Sequence, residues 1–327
     1  PSTASLTIGT VGETSIAVTA RGLDSTSGIY SYAFQRSTTS ATTGFTTVDT
    51  KTSTASSYNY TYTALTAETT YYLRVVVTDR AGNATTGTAV PQATTKKLAS
   101  NVNELEEGDY VYYYDKNNTR RECVVLYDAS SGYGVQIITM ETVEEVELGN
   151  RTGSDSGSTA DFNTAMNSYN NAISTLNTRA EAYKNTTYSN SARSVGSVPN
   201  NKNAQSGDYY TFTEFSSSYS GKLRDKDTNY LTDWNKMREL GIEDINEYYW
   251  LASRAVYSSS THSSFYVRYV DVSSGTIPIG SLCAVFSSGG VDSNSDSNGL
   301  RPIFTLNSGI KVTGGTGEPG DPYTLGR

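Results

Sequence analysis

Few residues in this chain could move a proton or hold a metal. There is one histidine, His262, inside the run YSSSTHSSFYVR (Tyr257–Arg268). A Ser-His-Asp triad would have to use it, and no G-x-S-x-G elbow accompanies it. Catalysis asks for a held, oriented group, so His262 reads as a solvated loop residue rather than a base. No H-E-x-x-H, P-loop or G-x-G-x-x-G occurs. ETVEEVE (Glu141–Glu147) offers carboxylates. A glycosidase pair need not be close in sequence, but nothing else supports one, and a solvated acidic edge is the expectation. The run DSNSDSNG sets Asp292, Asn294, Asp296 and Asn298 two apart with Gly299 after them. Hard oxygens at alternate positions suit calcium. Counted from Asp292, however, the sixth and twelfth places are Ser297 and Ile303; counted from Asn294, Gly299 fits and Thr305 does not. The run is read as a polar loop, with no metal and no cofactor expected. Cys123 and Cys283 sit in the apolar words ECVVL and SLCAVF. They are either two buried thiols or one long-range disulfide, the latter only in an exported chain.

The elements that must carry these residues belong to a chain of 327 residues, long enough for two domains. Charged residues are 18%, with 26 Tyr and 28 Gly, so the surface is polar but weakly charged, as in secreted bacterial and phage surface proteins. Net charge is -8 without a basic cluster, which argues against nucleic acid as a partner. No run approaches the ~18 apolar residues of a membrane span. No signal peptide is visible, and the abrupt opening at Pro1 is what a trimmed ectodomain would show. An extracellular, cell-surface or secreted location is therefore expected from composition and resemblance.

Residues 1–95 read as all-β: SLTIGTV, SIAVTARG, YSYAFQRS and YYLRVVVTD alternate apolar with Thr and Ser between frequent turns, the pattern of a sandwich. LTAETTYYLRVVVTDRAGN (Leu65–Asn83) resembles the fibronectin type III or bacterial Ig-like pattern, with Tyr71 where the family's corner Tyr stands. PQATTKKLASN is a polar connector. Beyond it, residues 96–327 read as a second domain. EEGDYVYYY and RRECVVLYD are strands around a turn at DKNNT, and YGVQIITMETVEEVEL is a strand pair or strand plus turn. Phe162, Met166, Tyr169, Ile173, Leu176, Ala180 and Tyr183 recur at helical steps, with Asp161 or Thr159 as cap. NTTYSNSARSVGSVPNNKNAQSGDYY reads as loop. A second helix runs through Leu231, Trp234, Met237 and Leu240 with Gly241 after its end. Helices first and strands later point to α+β rather than a parallel sheet.

In the last quarter, WLASR, FYVR, LCAVF and GLRPIFTL alternate with Tyr, Ser, Thr, His, Asp, Asn and Gly. The apolar words supply core. Tyr gives contact area at low entropy cost and Ser, Asn and Gly give adaptable hydrogen bonds, which is a paratope composition; a loop-rich edge with Tyr as filler would look the same by composition alone. The order YYWLASRAV…FYVRYVDVSSG…LCAVFSS…SNGLRPIFTL resembles the C-type-lectin-fold domain of the formylglycine-generating-enzyme-like branch, and closely that of the variable proteins of diversity-generating retroelements in bacteria and phages. LEEGDYVYYYDKNNTRRECVVLYDASSGYGVQIITM, FNTAMNSYNNAISTL and IKVTGGTGEPGDPYTL fit the same group. The resemblance implies an all-β sandwich (fibronectin III/Ig-like) followed by an α+β C-type lectin fold, with a variable region at about 250–305.

In that family adenine-directed mutagenesis replaces chosen codons near the C-terminus. Carried over, the resemblance implies ligand contact by Ala255, Tyr257, Ser259, Thr261, His262 and Ser264 in a first loop. Tyr266, Tyr269 and Asp271 follow near a strand, then Thr276, Pro278, Gly280 and Ala284, and then Asp292, Asn294, Asp296 and Asn298. Alternation along FYVRYVDV sets Tyr266 and Tyr269 on opposite faces unless a bulge intervenes. Arg254, Arg268 and Arg301 are expected to brace loops. The sugar-calcium words E-P-N and W-N-D are missing, so the fold alone implies no sugar. Cys283 lacks the partner a formylglycine-generating oxidase would need, so no enzyme is expected. The expected role is capture of a protein or glycan ligand on another cell surface. The alternatives are a structural surface or pilus-like subunit and a carbohydrate-binding module of a glycan-active system.

Overall fold

The computed structural model describes residues 1–150, 158–197, 230–271, 274 and 276–326, and among them the chain is mostly β. It divides into two compact units, Pro1–Leu98 and Ala99–Arg327. The break falls a few residues beyond the expected one at 95/96. The Lys96 amide donates to the Gly12 carbonyl at 2.9 Å, which ties the start of the connector to the first unit.

The first unit holds β1 (Thr3–Val11), β2 (Ile16–Leu23), β3 (Ile29–Ser37), β4 (Thr46–Thr52), β5 (Ser57–Tyr62), β6 (Thr70–Asp79), β7 (Ala84–Thr86) and β8 (Gln92–Thr94). One sheet runs β1-β2-β5; the other runs β4-β3-β6-β7, with β8 also on β6. Strict alternation in β6 turns Tyr71, Leu73, Val75 and Val77 inward. They meet Ile16, Val18 and Ala20 of the facing sheet in one core, where the Phe34 and Tyr60 rings stack at 4.0 Å. The Tyr71 hydroxyl accepts from the Thr66 amide at 2.9 Å, pinning the turn that enters β6.

The second unit runs β9 (Tyr110–Tyr114), β10 (Arg120–Tyr127), β11 (Gln136–Thr139), β12 (Glu144–Gly149), α1 (Thr159–Glu181), β13 (Ser189–Ser194), α2 (Tyr230–Leu240), β14 (Tyr249–Ser258), β15 (His262–Val270), β16 (Ile279–Phe286), β17 (Val291–Ser293), β18 (Ser295–Leu300), β19 (Pro302–Leu306), β20 (Val312–Gly314) and β21 (Tyr323–Leu325). A seven-stranded sheet is ordered β13-β19-β11-β10-β9-β21-β20, and a six-stranded sheet β12-β18-β14-β15-β16-β17. β11 and β12, expected as a possible pair, go to different sheets. Part of the expected loop, Ser189–Ser194, is an edge strand on β19, because the β19 backbone offers a ladder that local Ser and Asn turns do not outbid. The rest of that stretch, from residue 198, lies outside the described residues.

Helix α1 is capped by Ser158 rather than by Thr159 or Asp161. The Ser158 Oγ accepts from the Asp161 amide at 3.1 Å and donates to the Asp161 carboxylate at 2.6 Å. Its buried stripe of Phe162, Met166, Tyr169, Ile173 and Leu176 lies against the six-stranded sheet. Helix α2 ends as its sequence suggests. Gly241 has φ +68°, its amide reaches the Arg238 carbonyl at 3.2 Å, and the Ile242 amide reaches that of Met237 at 3.0 Å.

Strand β14 explains the apolar run in the sequence. Trp250, Ala252 and Val256 pack in the α1 core, while Tyr249 and Leu251 face a second core with Trp234 and Met237 of α2. The fully buried Asp233 carboxylate clamps α2 down. It accepts from Arg193 Nη1 and Nη2 at 2.5 and 3.0 Å, from the Tyr127 hydroxyl at 2.8 Å and from the Gly196 amide at 2.8 Å. Burial alone would raise its carboxyl, but Arg193 and these donors hold it below the usual range. Arg301, also fully buried, donates to the Thr139 carbonyl at 2.7 Å and lies 5.2 Å from the Tyr249 ring centroid. Arg268 donates to the Arg254 carbonyl of β14 at 3.0 Å, and Arg254 to the Asn170 carbonyl of α1 at 3.3 Å. Cys123 and Cys283 are free, buried thiols in separate cores, and burial pushes both up.

Candidate functional site

Strand register sorts the candidate residues. On β14 and β15 the pairs Val256↔Phe265 and Arg254↔Val267 point toward α1. Phe265 meets the Tyr169 ring edge-on at 5.3 Å, and the Arg254 guanidinium sits 5.1 Å from that ring's centroid. Residues between them must therefore point the other way. These are Ala255↔Tyr266 and Tyr257↔Ser264, joined across β16 and β17 by Ser264↔Ala284 and Ala284↔Asp292 and at the strand end by His262↔Phe286. One extra residue in β16, Leu282 between Cys283↔Phe265 and Ser281↔Tyr266, keeps both Leu282 and Cys283 in the α1 core without turning the face over.

Seven sequence candidates thus share one face: Ala255, Tyr257, His262, Ser264, Tyr266, Ala284 and Asp292. Its floor is small and buried, Ala255 at 1%, Ser264 at 6% and Ala284 at 7% exposure. Its walls are larger. Tyr257 is 52% exposed, its ring 5.6 Å from His262, and His262 is 5.9 Å from Phe286. Tyr266 and Asp292 are half-buried. This face, hereafter the dish, thus sets three aromatic side chains, a histidine and a carboxylate around small, buried residues. Phe286 and Ser281 were not among the candidates; the two-residue spacing from Ala284 to Phe286 in LCAVF would have found the first.

The expected loops are largely strand. Only Ser259–Thr261 form the β14–β15 turn, where the Ser259 and Thr261 hydroxyls each lie 3.2 Å from His262 Nδ1. Tyr, Ser and Thr tolerate a pleated surface well enough for the ladder to continue through them.

The remaining candidates gather elsewhere. Tyr269 is on the α1 side, as strand alternation requires, with its ring 6.1 Å from Trp250 and 6.3 Å from Tyr248. Burial, then the Asp296 charge, raise its phenol. Asp271 and Thr276 close the β15–β16 connection, and the Pro278 carbonyl accepts from the Tyr269 amide at 3.2 Å. A side chain at Gly280 would start 2.5 Å from Asp296 Oδ2 and 3.3 Å from the Trp250 ring. Asp296 and Asn298 lie opposite Leu148 and Val146, whose side chains join the α1 core. Asn294 contributes backbone: its amide donates to Leu282 at 2.8 Å and its carbonyl accepts from Asn150 at 3.0 Å. Asp292 therefore faces away from α1 while Asp296 and Asn298 face toward it, so the four alternate polar residues do not converge as calcium ligands would. Among the described residues no group of three or more His, Cys, Asp or Glu is placed to hold a metal. Asn298 also borders a cavity of about 260 Å³ with Thr142, Glu145, Glu247, Tyr248 and Ser297.

No protein-family model and no curated protein matches the chain. Among solved structures, the sensor domain of the anti-sigma factor RsgI4 in Pseudobacteroides cellulosolvens is similar at 15% identity, covering 30% of this chain and 98% of that one. The TM-score is 0.22, at which the likeness carries no argument about fold or function.

Proposed function

We propose that this chain is a surface-displayed or secreted ligand-binding protein. In this reading the first unit is a fibronectin type III or Ig-like stalk, and the second is a C-type-lectin-fold head of the kind diversified by retroelements. The head offers its aromatic-rimmed dish to a ligand and has no catalytic role. One observation carries the reading: seven of the seventeen candidate residues fall together on the outer face of β14–β17, while Val256, Phe265, Val267 and Leu282 between them point to α1. Side chains on the outer face can change without touching that core. The Tyr71–Thr66 bond supports the stalk assignment, since a corner tyrosine makes this kind of contact upstream.

The test is a comparison of the native gene with its downstream flank. A near-copy of the codons for residues 250–305 is expected, differing at adenines of the template. The differences should include the codons for Tyr257, Ser264, Tyr266, Ala284 and Asp292 and spare those for Phe265, Val267 and Leu282. Differences spread equally over both faces, or no such copy, would refute it.

A further inference from the structure

A second group of polar side chains lies on the α1 side of the six-stranded sheet, the side opposite the dish. Asp296 and Asn298 of β18 stand across from Leu148 and Val146, whose side chains join the α1 core, so both face that side. The Tyr269 ring is there too, 6.3 Å from Tyr248 and 6.1 Å from Trp250, inclined at 62° and 82°. The Asp296 charge acts on its phenol. This end of the sheet is open. Tyr248 is 47% exposed, and Tyr269 and Asp296 are half-buried. Tyr248 and Asn298 also border the cavity of about 260 Å³. Gly280 fixes where the carboxylate lies: with no side chain in the way, Asp296 Oδ2 settles over Gly280, near the Trp250 ring.

The polar groups here are short of partners. Asn298 is 6% exposed, and its amide Nδ2 makes no hydrogen bond. Asp296 Oδ1 accepts from the Ser297 amide at 3.0 Å. Asp296 Oδ2 and the Tyr269 hydroxyl make no hydrogen bond among the described residues, yet both remain open to water. Burial pushes the Asp296 carboxyl up, the nearby Asn298 amide offsets this only in part, and no cation pairs with it among the described residues. A buried donor without an acceptor is costly, so Asn298 calls for a ligand that can accept. Asp296 calls for one that can donate. An organic cation would satisfy Asp296 and leave Asn298 unmet, because an ammonium or guanidinium has nothing to accept with. An anion would satisfy Asn298 but meet Asp296 and a chain of net charge -8. The hydroxyls of a sugar ring both donate and accept, and its C–H face suits a tyrosine ring.

We infer that Tyr248, Tyr269, Asp296 and Asn298 form a second binding site, which takes one neutral pyranose ring without a metal. The ring stacks on Tyr248, one hydroxyl donates to Asp296 Oδ2 and another accepts from Asn298 Nδ2. The inference rests on the reading of the second unit as a ligand-binding head and adds a sugar site apart from the dish. The test titrates the full chain with the methyl glycosides of glucose, galactose, mannose and N-acetylglucosamine, followed by nuclear magnetic resonance with and without EDTA. Nα-acetyl-lysine methylamide serves as the cationic control. At least one glycoside should bind with a Kd near the millimolar range, with EDTA or without it. Tyr248→Ala and Asp296→Asn should each weaken it about tenfold without lowering the urea midpoint. Gly280→Ala, whose methyl displaces the Asp296 carboxylate, should weaken it similarly. Tyr257→Ala, in the dish, should change it by less than about twofold. Failure of all four glycosides to bind, loss of binding in EDTA, or tighter binding of the lysine amide would each overturn the inference. So would an equal loss in Tyr257→Ala, or binding untouched by Tyr248→Ala and Asp296→Asn. The codon comparison is independent of these outcomes, so a diversified dish on a head with no sugar site would be recognised as such.

Discussion

Two neighbours on β15 offer the sharpest check on the face assignment. Phe265 is fully buried against Tyr169 in the α1 core, and Tyr266 is half-buried on the outer face. Phe265→Ala removes a ring from a packed core and should cost about 3–5 kcal/mol. Tyr266→Ala removes a ring from the dish wall and should cost about 1 kcal/mol. The difference of about 2–4 kcal/mol corresponds to roughly thirty- to seven-hundred-fold in the unfolding constant. Urea unfolding followed by tryptophan fluorescence measures it directly. The chain has two tryptophans, Trp234 and Trp250, both buried in the second unit, so the signal reports that unit alone. The midpoint should fall far more for Phe265→Ala at an unchanged slope. Equal losses, or a larger loss for Tyr266→Ala, would mean that the register places the faces the wrong way round, and the case for the dish would go with it.

Asp233→Asn should destabilise the second unit by about 3–5 kcal/mol, because Arg193 and the Gly196 amide lose their charged acceptor while buried. The folded Asp233 carboxyl lies below its ordinary range, so its contribution is full above that range and disappears as pH falls through the folded value. Urea midpoints from neutral to acid pH should therefore drop less steeply in the variant than in the parent. In the first unit, Tyr71→Phe deletes the bond to the Thr66 amide and should cost about 1 kcal/mol, read by circular dichroism melting.

Much of the architecture was legible because period and punctuation agree. The alternation in YYLRVVVTD, the helical recurrence from Phe162 to Ala180 and the glycine after Leu240 each dictate local structure that tertiary contacts then reinforce. What failed were segments whose fate depends on distant partners. SNSARS has no strand pattern, yet it completes the β19 edge, and ETVEEVE leaves its sequence neighbour β11 for another sheet. In the candidate site the residue types were readable and their grouping was not. Tyr257, Ser264, Ala284 and Asp292 come together through the register of four strands and a bulge at Leu282. The alternate DSNSDSN spacing promised one cluster, but the turn from β17 to β18 divides it between two faces.

The two free thiols have a practical consequence. Cys123 lies in β10 of the seven-stranded sheet and Cys283 in β16 of the six-stranded sheet, each fully enclosed. Neither can meet an alkylating reagent until its own sheet opens, so the native chain carries two built-in clocks, one per sheet. Pulsed labelling of each thiol, followed by digestion and mass measurement, would time the breathing of the six-stranded sheet separately from that of the seven-stranded one. If ligand capture slows only the Cys283 clock, the energy of binding stays within the sheet that carries the dish.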